Sequence, residues 1–182
     1  FFDWFFKVRD VYETFIDTTT LLPLEFKRDV NEGGYLINQH YKFNHKDNNV
    51  VTKDSTYVIP ANAQDMLSAF FYARTFQKKR IIKNRNIFHI PVFVDEENYS
   101  LEIRYKENQK LETKWGKLDC MVFQPKMQKG RVFKNSEEMK IWISDDANHL
   151  MLRVETKIWG GTIKAILDDY KALKHPLSAI VD

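Results

Sequence analysis

Cysteine, glycine and proline are scarce in this chain of 182 residues, with counts of 1, 6 and 5. A single cysteine, Cys120, excludes an intrachain disulfide and fits a cytosolic protein and a disulfide-free exported one equally. So few Gly and Pro exclude collagen-like and low-complexity structure. A long apolar run is also missing, so the chain holds no segment that reads as a membrane-spanning helix. Charge of one sign is missing too. Lys plus Arg is 28 and Asp plus Glu is 25, a formal +3, too small an excess to point to nucleic acid. No G-x-G-x-x-G, phosphate-binding loop, G-x-S-x-G or HExxH is present, so no familiar cofactor or nucleophile motif is offered.

What is there is aromatic. Phe, Tyr and Trp number 14, 8 and 4, or 14% of the chain. With 43% hydrophobic and 29% charged residues, the composition is that of a globular protein with large side chains in a β-rich core. The length suits one domain, 1–182, with a sizeable core.

Most of the chain reads in twos. Tyr99, Leu101, Ile103 and Tyr105 alternate with Ser100, Glu102, Arg104 and Lys106, the pattern of a strand with one dry and one wet face. Similar alternation runs through 24–30, 35–43, 139–144 and 150–159. Repeated alternation favours antiparallel pairing, because parallel sheets are buried on both faces. Gly33-Gly34 and Gly160-Gly161 stand between alternating runs, where a hairpin turn needs positive φ. Asp145 to Asn148 and Trp115 to Lys117 read as further turns. Pro91 marks the run 87–94 as an edge or bulged strand. One stretch breaks the period. Asn62 is a candidate N-cap, Asp65 falls in the first turn, and Met66, Leu67, Phe70 and Ala73 share a helical face. The pattern predicts a mainly β fold: a single curved antiparallel sheet, open and half-barrel-like, with one packed helix near 62–76.

The candidate chemistry is thin. The five histidines fall at no metal-ligand spacing, so no metal site and no cofactor are expected. Cys120 lies between Leu118 and Val122 on the dry face and reads as a small buried hydrophobe. The acidic pairs Glu96-Glu97, Asp145-Asp146 and Asp168-Asp169 are sequence neighbours. Glycoside hydrolysis needs carboxylates that face each other across a cleft, so turn chemistry is the simpler reading, and no catalytic residue is named. The basic run 78–85 could bind phosphate or an anionic surface, but it lacks interleaved aromatics for base stacking, and a solvated charge run is the simpler reading.

The most suggestive feature is Trp142, Met151 and Trp159, large apolar residues at positions the alternation assigns to the wet face. Two readings stand: they line a concave site for an apolar or sugar ligand, or other parts of the chain cover them. Asp17, Arg28 and Glu32 form a second, polar candidate cluster. Asp17 and Arg28 lie on neighbouring strands of one hairpin and are expected to make a buried ion pair. The opening Phe1-Phe2-Asp3-Trp4-Phe5-Phe6 is more apolar than an ordinary terminus, and leads to the expectation that strands precede it.

Several stretches resemble a known bacterial family, domain of unknown function 3108. They are Phe6 to Asp17, Leu21 to Pro23, Arg28 to Tyr35, Asp65 to Arg74, Gly116 to Cys120, Lys129 to Lys134, Ile141 to Asn148 and Gly160 to Lys164. The likeness runs from about residue 6 to 173 and is greatest to members from Bacteroides-type bacteria. The resemblance implies an exported, periplasmic or envelope-associated protein, with a signal peptide and a first pair of strands before Phe1. It carries over no activity and no site residue.

Together these readings lead to an expected function: a non-enzymatic envelope protein that binds a lipid, a glycan or a protein partner through Trp142, Met151 and Trp159. One alternative is a hydrolase of envelope material using Asp65, Asp145 or Asp146. Another is a structural module of an envelope complex.

Overall fold

The computed structural model describes residues 8–32, 34–126, 139–158 and 161–181, with the side chains of Val8, Glu32, Arg80 and Ile158 outside that description. The fold is mainly antiparallel β. Among the described residues it contains two sheets where the sequence pattern suggested one, and neither is closed. The described chain divides into two compact units. One holds the residues up to Thr75 with Ile90–Ser100, and the other holds Phe76–His89 with residues from Leu101 onward.

The first sheet is a meander of β1 (Val8–Ile16), β2 (Pro23–Glu32), β3 (Tyr35–Asn44), β4 (Asn49–Val51) and β5 (Thr56–Val58). Its register places Thr14, Phe26 and Tyr41 side by side, and likewise Tyr12, Arg28 and Gln39. That face carries the core of the unit: Phe26, Tyr41, Phe43, Val50, Ile59, Ala63 and Phe93. Tyr41 and Tyr57 pack on Phe93 with ring centroids 5.2 and 5.5 Å away. The other face carries Glu13, Glu25, Lys27 and His40, with Glu25 paired to Lys27 at 3.3 Å and to His40. Here period two separates dry from wet as the sequence implied. Gly34 adopts φ +93° in the β2–β3 turn, the conformation for which glycine is suited.

The helix is shorter and later than 62–76. Two short helices form, α1 (Ser68–Ala73) and α2 (Lys78–Lys83). Asn62 has φ +61° and is not the cap. Asp65 performs that role: its Oδ1 accepts from the amides of Leu67 (2.7 Å) and Ser68 (2.8 Å), while Ser68 Oγ accepts from the Asp65 amide at 2.9 Å. This reciprocal pair satisfies helix-end donors that would otherwise be orphaned. Gln64, just before Asp65, is held by a parallel bridge to Val92.

The second sheet runs β6 (Ile87–Val94), β7 (Glu97–Thr113), β8 (Gly116–Pro125), β9 (Met139–Ser144), β10 (Met151–Ile158) and β11 (Gly161–Ile166), in sequence order, with β12 (Ile180–Val181) pairing β8. Its order puts β6 with Pro91 at one edge. One core cluster of the second unit is Leu111, Leu118, Cys120, Val122, Trp142, Leu150, Leu152 and Ala179. Leu167, Tyr170, Leu173 and Leu177 of the C-terminal segment pack against it.

Candidate functional site

The predicted aromatic site comes apart. Trp142 is only 4% exposed and belongs to the core, which corrects its placing on a wet face. β9 runs between β8 and β10, and Ile141, Trp142, Ile143 and Ser144 are all buried, so alternation along it does not separate core from solvent. Across the three strands Val122, Trp142 and Arg153 are register partners, and so are Met121, Ile143 and Met151. Adjacent residues of a strand point to opposite faces, so Met151 lies on the other face from Trp142. A register shift between Met151 and Arg153 accompanies this arrangement. Trp159 lies outside the described residues, as do Phe1 to Phe6 and Lys129 to Lys134.

The polar cluster also divides. Asp17 is half-buried and closes its own loop, accepting from the Thr19 amide (2.9 Å), the Thr20 amide (2.7 Å) and the Thr20 hydroxyl (3.0 Å). Those donors favour its charged form and hold its pKa below the ordinary value. Arg28 therefore does not pair with Asp17. Its Nη1 meets Asp95 Oδ1 at 2.8 Å and Gln39 Oε1 at 3.4 Å, and its guanidinium lies 5.6 Å from the Tyr12 ring. The Glu32 backbone pairs with Val8 and Tyr35, and its side chain is not described. Nearby, the Tyr41 hydroxyl is pushed up to about 12, first by burial and then by the charges of Asp95 and Glu96.

The acids considered for hydrolysis are each engaged. Asp65, besides capping α1, accepts from Thr14 Oγ1 at 2.5 Å, and burial raises its pKa despite those donors. Asp145 takes Lys78 and Asn108. Asp146 accepts from Ser144 Oγ (2.8 Å) and the Asn148 amide (3.0 Å). Asn148 in turn donates to the carbonyls of His175 and Pro176, holding the C-terminal segment to the β9–β10 turn. Burial, with the charge of Asp119 beside it, pushes the Cys120 thiol up to about 11, which suppresses the reactive thiolate.

A different site remains in the second unit. The β7–β8 hairpin turns at Lys114-Trp115, where Thr113 Oγ1 accepts from the Trp115 amide (3.1 Å) and donates to Gly116 O (2.8 Å). A two-residue turn leaves little room to bury its side chains. Trp115 instead packs on Tyr170, with centroids 4.9 Å apart, and Lys114 lies 5.1 Å from its ring centre. Between this hairpin, β10 and residues 166–168 lies a pocket of about 230 Å³. Leu111 and Leu152 of the core line it, with Trp115, Leu167 and Arg153. The Lys114–Asp168 pair, at 3.2 Å, forms part of its rim.

Arg153 is the cation fixed in this pocket. Its guanidinium carbon sits 4.0 Å from the Trp142 ring centre, and its Nε lies 3.2 Å from Glu155. Trp142 is itself tethered by Nε1 donating to Gln109 Oε1 at 3.0 Å. Cation–π contact and an ion pair thus orient a planar fork that suits carboxylate, phosphate or sugar oxygens. The pocket is below the ~300–1,000 Å³ of drug-sized sites, and fits one ring or a short chain. In the sequence Trp115 is marked only as a turn residue, although an aromatic at a hairpin tip is itself a signal of partial exposure.

Fold and site define a mainly antiparallel β protein with a small apolar pocket bearing one anchored guanidinium. The chain belongs to the family described as protein of unknown function, DUF3108, whose model matches residues 1–168. Comparisons with curated proteins and with solved structures returned no match.

Proposed function

We propose that this protein is an exported, envelope-associated binding module, not an enzyme, and that it takes a small apolar or glycan-like group in the Leu111–Trp115–Arg153 pocket. The Bacteroides-type affinity and the periplasmic address come from the resemblance read in the sequence. The observation that carries the binding reading is Arg153 held over Trp142 beside the apolar lining of Leu111 and Leu152. Such a site grips an acceptor group with the fork and packs the remainder on the apolar wall. Asp65, Asp145 and Asp146 secure a helix end, a lysine and a turn, which favours binding over hydrolysis. In this reading Trp142 supports the site from beneath instead of touching the ligand.

Native mass spectrometry of protein from the envelope fraction of its host tests this. A reproducible lipid or glycan adduct that is lost in Trp115→Ala and Arg153→Met is the expected result. A bare mass, or an adduct indifferent to both substitutions, counts against it.

A further inference from the structure

No acidic residue occurs between Asp65 and Asp95, while Arg74, Lys78, Lys79, Arg80, Lys83 and Arg85 do. Six cations in that interval exceed the +3 of the whole chain, so the remainder is net negative and the positive charge is concentrated. α2 lies at the centre of this stretch. Its inner side is fixed by Ile81, 3% exposed, and by Lys78, which is tied to Asp145. That anchoring leaves Lys79 outward with Ile82 and Lys83 about one helical turn further on, and Ile82 is 52% exposed. Arg85 follows, also exposed. Among the described residues none of Lys79, Lys83 and Arg85 has a carboxylate at ion-pair distance.

We infer that the outer face of α2 docks the protein on an anionic lipid surface. The pocket above plays no part in this, so the two readings stand or fall separately. An uncompensated cation is attracted to acidic headgroups by about 1 kcal/mol at a membrane surface. An exposed apolar side chain between two lysines adds burial at the headgroup boundary, the arrangement of a surface-lying basic helix. Isoleucine at that position distinguishes a lipid surface from a dissolved polyanion, which has no apolar layer to receive it. The stretch 77–86 carries no aromatic side chain on which bases could stack, which disfavours single-stranded nucleic acid.

Co-sedimentation of the whole chain with vesicles is the test. It is expected to bind vesicles of equal phosphatidylglycerol and phosphatidylcholine, to ignore pure phosphatidylcholine, and to release as salt is raised. Lys79→Gln with Lys83→Gln should weaken partitioning roughly 30-fold, about fivefold for each cation. Ile82→Ser should weaken it several-fold at unchanged charge. These residues are exposed, so thermal melts should match the parent. Arg85→Gln, beyond the helix, gives an independent loss of about fivefold should the helix variants misfold. Failure to bind anionic vesicles, or equal binding to neutral ones, overturns the inference. Binding unmoved by Ile82→Ser and matched by heparin would also overturn it, in favour of a dissolved polyanion.

Discussion

The two units fill their interiors differently. The first gathers rings, with Phe26, Tyr41, Phe43 and Phe93 at its centre. The second keeps two groups, an aliphatic cluster around a single indole, Trp142, and a file of rings running Phe76, Phe88, Phe123 and Tyr105. The sheets differ in wetting as well. β1, β2 and β3 present one dry face and one face of paired charges. In the second unit, β9 is buried along consecutive residues. A sheet wetted on one side places every second side chain freely, so polar residues can vary there. A central strand covered on both sides has no such positions.

Substitutions at neighbouring positions would sharpen that contrast. On β2, Phe26→Ala should destabilise by about 3–5 kcal/mol, while Lys27→Ala next to it should stay within about 1 kcal/mol. On β9, Trp142→Ala and Ile143→Ala should both be severe, at about 3–5 and 2–5 kcal/mol. Denaturant midpoints measure all four. A mild effect at either β9 position would break the comparison.

A middle-sized effect is expected where α1 meets β1. Asp65→Ala removes the acceptor of two helix-end amides and of the Thr14 hydroxyl, for a loss of about 2 kcal/mol. Because burial raises the pKa of Asp65 above 3.8, the native state holds this proton more tightly than the unfolded chain. This group's contribution is therefore greatest below pH 3.8 and declines as pH rises through the folded value. Asp65→Asn should keep most of the cap and lose that slope, which melts across pH 3 to 6 would reveal. The smallest of the three is Trp142→Phe. It deletes the bond to Gln109 while keeping a ring beneath Arg153, and should lose about 1 kcal/mol.

How much could be read in advance follows the same division. Phe26 and Phe43 are buried as their period implied, because one face of their sheet meets solvent. Trp142 misled because period two cannot report a second covered face. Met151 misled because, beside the register shift, it sits opposite Ile143 and not on the Trp142 face. The pattern alone does not locate the helix start, because Asn62 and Asp65 are both good caps. The choice was made by Gln64 bridging to Val92, a partner remote in sequence. Arg28 found Asp95, equally remote, while Asp17 satisfied itself with the amides of its own loop.

β11 ends the second sheet with every residue exposed, including Ile163 and Ile166 at 53% and 69%. Among the described residues it pairs only with β10. A strand so placed is a template for another copy, and proteins ordinarily blunt such templates with proline, a bulge or charge. Here the one charged residue of the strand is Lys164, which also pairs with Glu155 at 3.1 Å. That lysine braces the hairpin and sets the strand's single charge on an otherwise uncharged edge, the place where a gatekeeper charge acts.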